Sequence, residues 1–309
     1  MSLKSVKNKI KSIDKTRQVT KAMEAVSAVK MRKSQALAIG TRPYARAALT
    51  ILRNVSGAID ASRHPLLVER PVKRTLIIVI TSDKGLAGSY TSALLKGFYK
   101  MLAKRDLSRE NVSLITVGKK ATDHFEKRGF AVLEHYEKWG DNLPFTAIRP
   151  LANRVKQEFL AGDYDRVIMV YTNFLSTLKQ EVVVRQLLPV SFDAIEEAVT
   201  GIVPEKGKYS ELRKDDKISR IGEYTFEPSP EKILGELIPA LFNIHIYHAV
   251  LEANASEHSA RMIAMKNASD NARDLSRALK LKFNKVRQAA ITREVSEIVG
   301  GMESMKVAE

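Results

Sequence analysis

The stretch SDKGLAGSY, residues 82–90, comes closest to a chemical site in this sequence. An apolar run, TLIIVI, precedes it, a helix-like run follows it, and Gly85 and Gly88 mark the turn between them. A strand, a glycine turn and a helix hold nucleotide phosphates in many α/β proteins. This stretch contains one G-x-x-G and no Lys directly before Ser89, so it matches neither the dinucleotide nor the P-loop motif.

Two other interpretations of this stretch are therefore open. It can be a tight turn, because Asp83 and Gly85 are residue types that readily adopt the backbone conformations of turns. It can also be an exposed loop at the sheet edge that is presented to a partner. We favour the exposed loop, with a nucleotide-binding enzyme as the rival hypothesis.

The other chemically capable side chains form no catalytic pattern. His245 and His248 share a helical face but lack an H-E-x-x-H motif or a third ligand, so we expect seam packing and surface polarity rather than zinc. The acidic pairs at 196–197 and 215–216 lie in a polar stretch and are expected to be solvated. Cys is absent, which excludes disulfides, thiolate nucleophiles and Cys-based metal sites. We therefore expect no catalytic, cofactor or metal site.

The positive charge is concentrated at the start of the chain. The formal net charge is +16, and residues 1–57 hold 13 Lys and Arg against 2 Asp and Glu. Such a segment seeks phosphate, anionic lipid or an acidic protein surface. An RNA-binding arm is the second rival hypothesis, although residues 1–43 offer no aromatic side chains for base stacking. No run of about 18 apolar residues is seen, so no transmembrane helix is expected.

Long helices are predicted at both ends of the chain. Residues 3–52 carry a stripe at spacings of three and four that becomes small after Ile13, and Gly40 and Pro43 are expected to kink or break this helix. Residues 231–299 carry a heptad pattern, which predicts a coiled coil. Its positions are Leu237, Leu241, Ile244, His248, Leu251, Ala255, Met262, Met265, Ala272, Leu279, Phe283, Val286 and Ala290. The simplest topology pairs the two helices antiparallel.

The middle of the chain alternates between strand-like and helix-like runs. The strands are expected at 75–80, 112–118, 130–136, 166–174 and 181–190, and the helices at 89–105, 119–128 and 146–161. This alternation predicts a Rossmann-like α/β domain with a mostly parallel sheet.

We therefore expect an α/β protein that combines this domain with a long antiparallel two-helix coiled coil. The expected divisions are an N-terminal coiled-coil helix (1–57), the α/β domain (72–192), a polar insertion (193–222), and a strand, EYTFEP, followed by the C-terminal helix (223–309).

Four stretches carry a resemblance to a known family. They are VTKAMEAVSAVKMRKSQ (19–35), SDKGLAGSY (82–90), ASEHSARMIAMKNASDNA (255–272) and NKVRQAAITREVSEIVGG (284–301). Together they closely resemble the gamma subunit of F-type ATP synthases, over both long helices and much of the middle.

The resemblance implies a central-stalk rotor with no catalytic site of its own and no cofactor. In the family the coiled coil turns inside a ring of three alpha and three beta subunits, and the α/β domain lies against the epsilon subunit and the membrane ring of c subunits. No nucleic acid or direct nucleotide binding is implied. The insertion 193–222 suggests a brake or an epsilon contact, and the lack of Cys excludes a thiol switch there.

The resemblance also implies residues that contact partners or couple the motor. In the N-terminal helix they are Met23, Lys30, Arg32 and Lys33. In the glycine turn they are Asp83, Lys84 and Gly85. In the C-terminal helix they are Arg261, Arg287, Gln288, Thr292 and Glu294. Because no clear transit segment is seen, we expect a peripheral protein on the cytoplasmic face of a bacterial plasma membrane.

Overall fold

The computed structural model describes residues 3–56, 64–140, 142–191, 227 and 229–306. The helices are α1 (Leu3–Ser56), α2 (Tyr90–Lys104), α3 (Lys119–Glu126), α4 (Arg149–Leu160) and α5 (Pro230–Lys306), with a 3-10 turn at Phe145–Ile148. The strands are β1 (Thr75–Ile80), β2 (Val112–Val117), β3 (Ala131–Tyr136), β4 (Arg166–Phe174) and β5 (Gln180–Leu188). The expected insertion and the strand expected at 223–228 lie outside these residues, apart from Glu227.

The five strands form one sheet in the order β3-β2-β1-β4-β5. β1 pairs in parallel with β2 and β4, and β2 pairs in parallel with β3. β5 is antiparallel to β4, which it follows after a short turn. The expected mostly parallel sheet is thus confirmed, and a five-residue connection explains the exception, since parallel strands need a longer crossover.

Apolar side chains cover both faces of this sheet. Alternate strand residues such as Ile77 and Val79 pack with α2 and α3 on one face. Their neighbours Ile78 and Ile80 pack on the other face with α1, α4 and α5. This three-layer arrangement explains why β1 is an uninterrupted apolar run rather than an alternating one.

The chain divides into two compact units. One consists of Met1–Val26 and Met262–Glu309, and the other of Ser27–Arg261. The long helices α1 and α5 each contribute residues to both units. The sheet and its flanking helices belong to the second unit.

In the first unit the ends of α1 and α5 pair antiparallel. Ser276 Oγ donates a hydrogen bond of 2.8 Å to Asp14 Oδ1, and Lys280 Nζ lies 3.8 Å from Asp14 Oδ2. Further along α1, Arg17–Ala22 line a groove with Ser269–Arg273, so rising numbers in one helix meet falling numbers in the other. The expected antiparallel pairing is therefore confirmed for these residues.

The heptad prediction holds in the first unit and is incomplete in the second. Met265 and Ala272 are buried, while Leu279, Phe283 and Val286 are half-buried between exposed neighbours. Residues 244–259 are instead buried on every face, against the sheet, α1 and α4. That part of α5 is a core helix rather than one strand of a two-helix coil, because its neighbours surround it.

Within the described residues, α5 also holds a stretch long and apolar enough to cross a membrane by length and composition. The expectation that no such stretch exists is thus wrong, but 61% of it is buried inside the structure. Burial on all faces demands the same apolar composition as a membrane does. The stretch is therefore explained as the core helix of the second unit.

α1 continues through Gly40 and Pro43, so the expected break is wrong. Pro43 removes one helical hydrogen bond, which costs about 3 kcal/mol in an exposed helix. Ala38 lies before Pro43, and Ala45 and Leu49 lie after it, all three buried in the same apolar cluster. Packing on both sides of the proline therefore keeps one helix.

Candidate functional site

The glycine turn 82–89, which we call the β1–α2 loop, follows β1, the central strand of the five-stranded sheet. From β1 the chain adds β2 and β3 on one side of the sheet and then returns to add β4 on the other side of β1. The connections that leave β1 and β4 therefore run in opposite directions across the sheet. Doubly wound folds bind ligands at such a switch point, at the carboxyl ends of the strands. The sheet thus places this loop where a ligand site is expected.

Asp83 uses both carboxylate oxygens within the chain. Oδ1 accepts the backbone N–H of Lys119 at 3.1 Å, and Oδ2 accepts the backbone N–H of Lys138 at 2.9 Å. Lys119 is the first residue of α3, so the carboxylate lies at the positive end of that helix. Asp83 therefore fixes the start of the loop to two other connections of the sheet.

Arg261 fixes the middle of the same loop to α5. Its Nε donates to the carbonyl of Gly85 at 3.3 Å, and Nη2 donates to the carbonyls of Lys84 at 3.2 Å and Gly85 at 3.3 Å. Nη2 also lies 2.6 Å from Glu257 Oε1, one helical turn earlier. The residue is 7% exposed, so this is a buried, charge-paired contact.

Tyr90 ties the end of the loop to α5 as well. Its hydroxyl donates to the carbonyl of Ala253 at 3.2 Å. Burial, followed by the negative charge of Glu257, raises the pKa of Tyr90 far above its usual value. The hydroxyl therefore stays protonated and remains a donor at any physiological pH.

Between these fixed points the loop exposes a small tip. Lys84, Gly85 and Leu86 are exposed, and Leu86 has a left-handed φ of 63° with 64% of its surface accessible. A left-handed conformation costs a residue other than glycine roughly 1–2 kcal/mol. Leu86 keeps it although its side chain gains little burial within the chain.

This geometry differs from a phosphate cradle. A phosphate site needs N–H groups that converge on the anion. Here two carbonyl oxygens converge on a guanidinium, and the loop's own carboxylate accepts the N–H at the start of α3. The arrangement supports an exposed contact loop rather than a nucleotide site.

The structure brings Asp83, Lys84, Gly85 and Arg261 together, as described, and leaves the other predicted residues apart. In the second unit Lys30 is half-buried, and Arg32 and Lys33 are exposed on α1. Their contacts with partners stay predictions. So does a partner contact for Arg261, whose guanidinium is engaged within the chain.

In the first unit Met23 is half-buried next to the groove of about 440 Å³ that Ala22 lines with Ser269 and Asp270. Arg17, Lys21 and Arg273 make this groove basic, a feature that the motif comparison did not single out although the charges are evident in the sequence.

The predicted residues of the C-terminal end lie on an exposed stretch of α5. Arg287, Gln288, Thr292 and Glu294 are all exposed, and Thr292 Oγ1 donates to the carbonyl of Gln288 at 3.0 Å. Residue 287 is 17 positions beyond residue 270, which corresponds to roughly 25 Å along a helix. These residues are therefore well separated from Met23, and their role stays a prediction.

The sequence analysis missed a buried polar cluster between the sheet and α5. His248 and Glu252 are buried one turn apart on α5, with Nδ1 and Oε2 separated by 3.7 Å. Burial, with His245 and Arg185 adding positive charge, lowers the pKa of His248 to about 3. Burial raises the pKa of Glu252 to about 8 despite contacts with Tyr171 and Arg185. The expected surface polarity of the two histidines is wrong, because this turn of α5 is covered on all faces.

Among the described residues, no group of three His, Cys, Asp or Glu side chains is placed to hold a metal ion. The buried cluster contains two titratable side chains, His248 and Glu252, whose pKa values burial shifts in opposite directions. The periodicity of a helix reports which residues share a face but not what covers that face, so no local signal distinguished this turn from a coiled-coil seam.

Comparison with known proteins identifies relatives over the whole length. A family model described as ATP synthase matches residues 2–305. The ATP synthase gamma chain of Chlorobium phaeobacteroides is 39% identical, with 99% of each chain covered. The ATP synthase gamma chain of Pelotomaculum thermopropionicum is also 39% identical, again with 99% of each chain covered.

Solved structures agree with the sequence relatives. A chain from the central stalk and c-ring of the Tetrahymena thermophila mitochondrial ATP synthase has a TM-score of 0.56 and 25% identity, and the match covers 81% of this chain and 99% of that one. A chain from the Euglena gracilis mitochondrial ATP synthase has a TM-score of 0.62 at 19% identity, with 98% and 94% covered, and shows the same fold. The family that the four sequence stretches suggested is confirmed: this chain belongs to the ATP synthase gamma-chain family, the central-stalk subunit of F-type ATP synthases.

Proposed function

We propose that this chain is the rotating shaft of its ATP synthase and that it transmits torque between a membrane ring of c subunits and the catalytic sites of an alpha/beta head. The observation that carries the proposal is the antiparallel pairing of α1 and α5 in a chain that belongs to the gamma-chain family. α5 has 77 residues, which at about 1.5 Å each span about 115 Å. A helix of this length suits a part that must reach between distant partners.

The seam between the helices suits a shaft that turns inside a bearing. On α1 the inward positions change from Val6 and Ile13 to Thr20, whose hydroxyl bonds to the helix's own carbonyls at Thr16 and Arg17. Because small polar residues bury little apolar area, the two helices pair by close approach of their backbones rather than by interdigitation of large side chains. The exposed positions of α1 carry Lys and Arg side chains together with Val19, Val26 and Val29.

We assign the partner contacts from the resemblance to the gamma-chain family, and the charge and exposure of most of these residues support the assignment. The positive face of α1 attracts acidic loops of the head over a distance, an attraction that several rotary positions can share. Met23, Lys30, Arg32 and Lys33 would meet those loops. Arg287, Gln288, Thr292 and Glu294 would meet the ring of alpha and beta subunits, and the exposed loop tip at Lys84 and Gly85 would contact the head or epsilon.

Chemistry is assigned to the partners, so the chain itself is non-catalytic. The β1–α2 loop lies where many α/β proteins bind a nucleotide, but its carbonyls accept hydrogen bonds from Arg261. The carboxylate of Asp83 accepts hydrogen bonds from two backbone N–H groups. The complete assembly would contain one copy of this chain for three alpha and three beta subunits, with epsilon and the c ring. Its place would be the cytoplasmic face of a bacterial plasma membrane, since the relatives named above from Chlorobium and Pelotomaculum are bacterial.

Purification from native membranes tests this function. An affinity-tagged copy of the chain, extracted in mild detergent, should bring down alpha and beta subunits at three copies each, measured by quantitative mass spectrometry. ATP hydrolysis should appear in this complex and be absent from the purified chain. Recovery of the chain without alpha and beta, or ATP turnover by the chain alone, would refute the proposal.

A further inference from the structure

Arg261 uses all three of its guanidinium nitrogens within the chain. Nε and Nη2 hold the loop carbonyls of Lys84 and Gly85, Nη1 lies 3.2 Å from His258 Nδ1, and Nη2 also contacts Glu257. Of these contacts, the two loop carbonyls are the long-range ones, 177 and 176 positions away in sequence. The side chain thus bridges α5 and the β1–α2 loop.

Three residues of α5 face this loop at regular spacing. Ala253 accepts from Tyr90, Glu257 balances the charge of Arg261, and Arg261 holds the loop carbonyls. Residues four apart lie on one face of a helix, so these contacts form a single row along α5. The row begins where α2 begins and ends at the exposed tip of the loop.

We propose that Arg261 is a positioning residue that locks the β1–α2 loop onto α5, so that the exposed tip at residues 84–86 moves with the long helix as one body. The proposal deepens the shaft function and rests on it for the transmission step. It also explains why Leu86 keeps a left-handed backbone: the clamped carbonyls of the two preceding residues fix the direction in which the chain must leave them.

Arginine is the side chain that this clamp needs. Its planar fork offers donors in fixed directions, so one group can hold two carbonyls and a carboxylate together. Lysine would keep the positive charge beside Glu257 but present it as a point on a flexible stem. Arg261→Lys should therefore preserve the ion pair and lose most of the clamp.

Cleavage by trypsin after Lys84 measures the clamp directly in the folded full-length chain. The side chain of Lys84 is exposed, but the carbonyl of the bond to be cut accepts a hydrogen bond from Arg261. Arg261→Ala should accelerate this cleavage by at least about tenfold, because hydrogen bonds to a charged donor are lost. Arg261→Lys should show most of the same increase.

A matched control exists on α4. Arg154 forms an ion pair of 2.7 Å with Glu158 at the same four-residue spacing, but its side chain is 47% exposed and holds no loop carbonyl among the described contacts. Arg154→Ala should leave the Lys84 cleavage rate within about twofold of the wild type, as expected for a surface ion pair. A rate within that range for Arg261→Ala would overturn the clamp.

A second variant keeps the test valid if Arg261→Ala fails to fold. The double variant Glu257→Gln and Arg261→Met removes the clamp without leaving a buried unpaired charge. This double variant should keep the wild-type helix content and still be cleaved at least about tenfold faster after Lys84. Equal cleavage in the double variant and the wild type would contradict the proposal.

The transmission step is measured in the assembled complex. Proton uptake per ATP hydrolysed should fall several-fold in Arg261→Lys complexes, because the exposed tip no longer moves with α5; uptake and hydrolysis are measured in the same complexes, so the ratio is independent of a change in the hydrolysis rate. Faster cleavage after Lys84 with unchanged proton uptake per ATP would overturn the transmission role. Failure of the shaft function itself would appear differently: complexes with and without this chain would then show the same proton uptake per ATP hydrolysed.

Discussion

One helix, α5, meets two different environments, and the contrast shows what each demands of a sequence. In its core segment, residues 244–259, every residue is buried against the sheet and other helices. In its seam segment, residues 262–290, burial is confined to one stripe, and the other positions hold mostly polar and charged side chains, with Leu275 and Leu281 exposed among them. The heptad spacing continues across both segments, so spacing alone does not decide between them.

The two segments differ in the surroundings of the polar side chains that lie outside the heptad positions. The seam segment leaves them in solvent, as with Arg273 and Arg277. The core segment must either pair or neutralise them, which explains the ion pair of Glu257 with Arg261 and the raised pKa of Glu252. Buried polar groups thus mark where a long helix passes through a folded body.

Truncation of matched leucines is expected to give the largest difference between the segments. Leu251 is 1% exposed in the core segment, whereas Leu279 is half-buried in the seam. Leu251→Ala should lower the free energy of unfolding of the second unit by about 3–5 kcal/mol, because a rigid core cannot fill the cavity. Urea unfolding followed by the fluorescence of Trp139, the single tryptophan, measures this unit.

Leu279→Ala is the control in the other segment. For this variant the free energy of unfolding measured by Trp139 fluorescence should stay within about 0.5 kcal/mol of the wild type, because residue 279 lies outside the unit that Trp139 reports. A comparable loss in both variants would mean that the core and seam segments are not energetically distinct.

The variant Glu252→Gln tests the core segment through the pH dependence of the free energy of unfolding. The folded carboxyl has a pKa of about 8 against 4.5 for the ordinary group, so its contribution to stability is full below pH 4.5 and is lost as pH rises to 8. His248 acts in the opposite direction, between 6.5 and about 3. Between pH 6.5 and 8, therefore, only Glu252 of this pair titrates.

In that window the Gln variant should gain stability relative to the wild type by at most about 2 kcal/mol, from about 1.4 kcal/mol per pH unit. The same Trp139 transition, measured at several pH values, reports the gain. Tyr171, Arg185, His245 and His248, the groups that face Glu252, are retained in the variant. A pH profile of Glu252→Gln that runs parallel to that of the wild type would contradict the buried protonated carboxyl.

Ser276→Ala is expected to have a smaller and local effect in the seam. The lost hydrogen bond to Asp14 joins a buried hydroxyl to a carboxylate and contributes about 1–2 kcal/mol. Amide hydrogen exchange should therefore accelerate about 5- to 30-fold in residues 3–26 and 262–290 and stay unchanged in the core segment. Arg277→Ala, at the next and exposed position, is the control. Equal exchange in Ser276→Ala and the wild type would show that this bond does not hold the seam.

Much of this fold could be predicted because its signals are local. The bounds of β1 and β4 match their apolar runs to the residue, since strands buried on both faces contain little else. The passage of α1 through Pro43 could not be predicted, because distant packing outweighs a local preference. The same holds for the site: the turn at 82–90 is evident from its glycines, but its clamp by Arg261 joins positions about 176 residues apart.

The end of α5 extends the comparison to a third environment. Ile291, Val295 and Ile298 recur at helical spacing beyond the seam, and all are exposed, with Ile298 64% accessible. Ile298→Ser should change the stability of the isolated chain by less than about 0.5 kcal/mol, whereas Ile246→Ser in the core segment should cost several kcal/mol. Thermal unfolding of the two variants measures the difference.

The exposed apolar row gains little burial within the chain, so we expect it to contact subunits of the assembly. Ile298→Ser should accordingly leave the purified chain intact while reducing the amount of alpha and beta subunits that co-purify with it. A variant that unfolds the chain would assign the row to internal packing, and one that changes neither stability nor co-purification would leave the row without a role in the bearing. Because Ile246→Ser acts through folding and Ile298→Ser through assembly, the pair separates the two reasons for which one helix carries apolar residues.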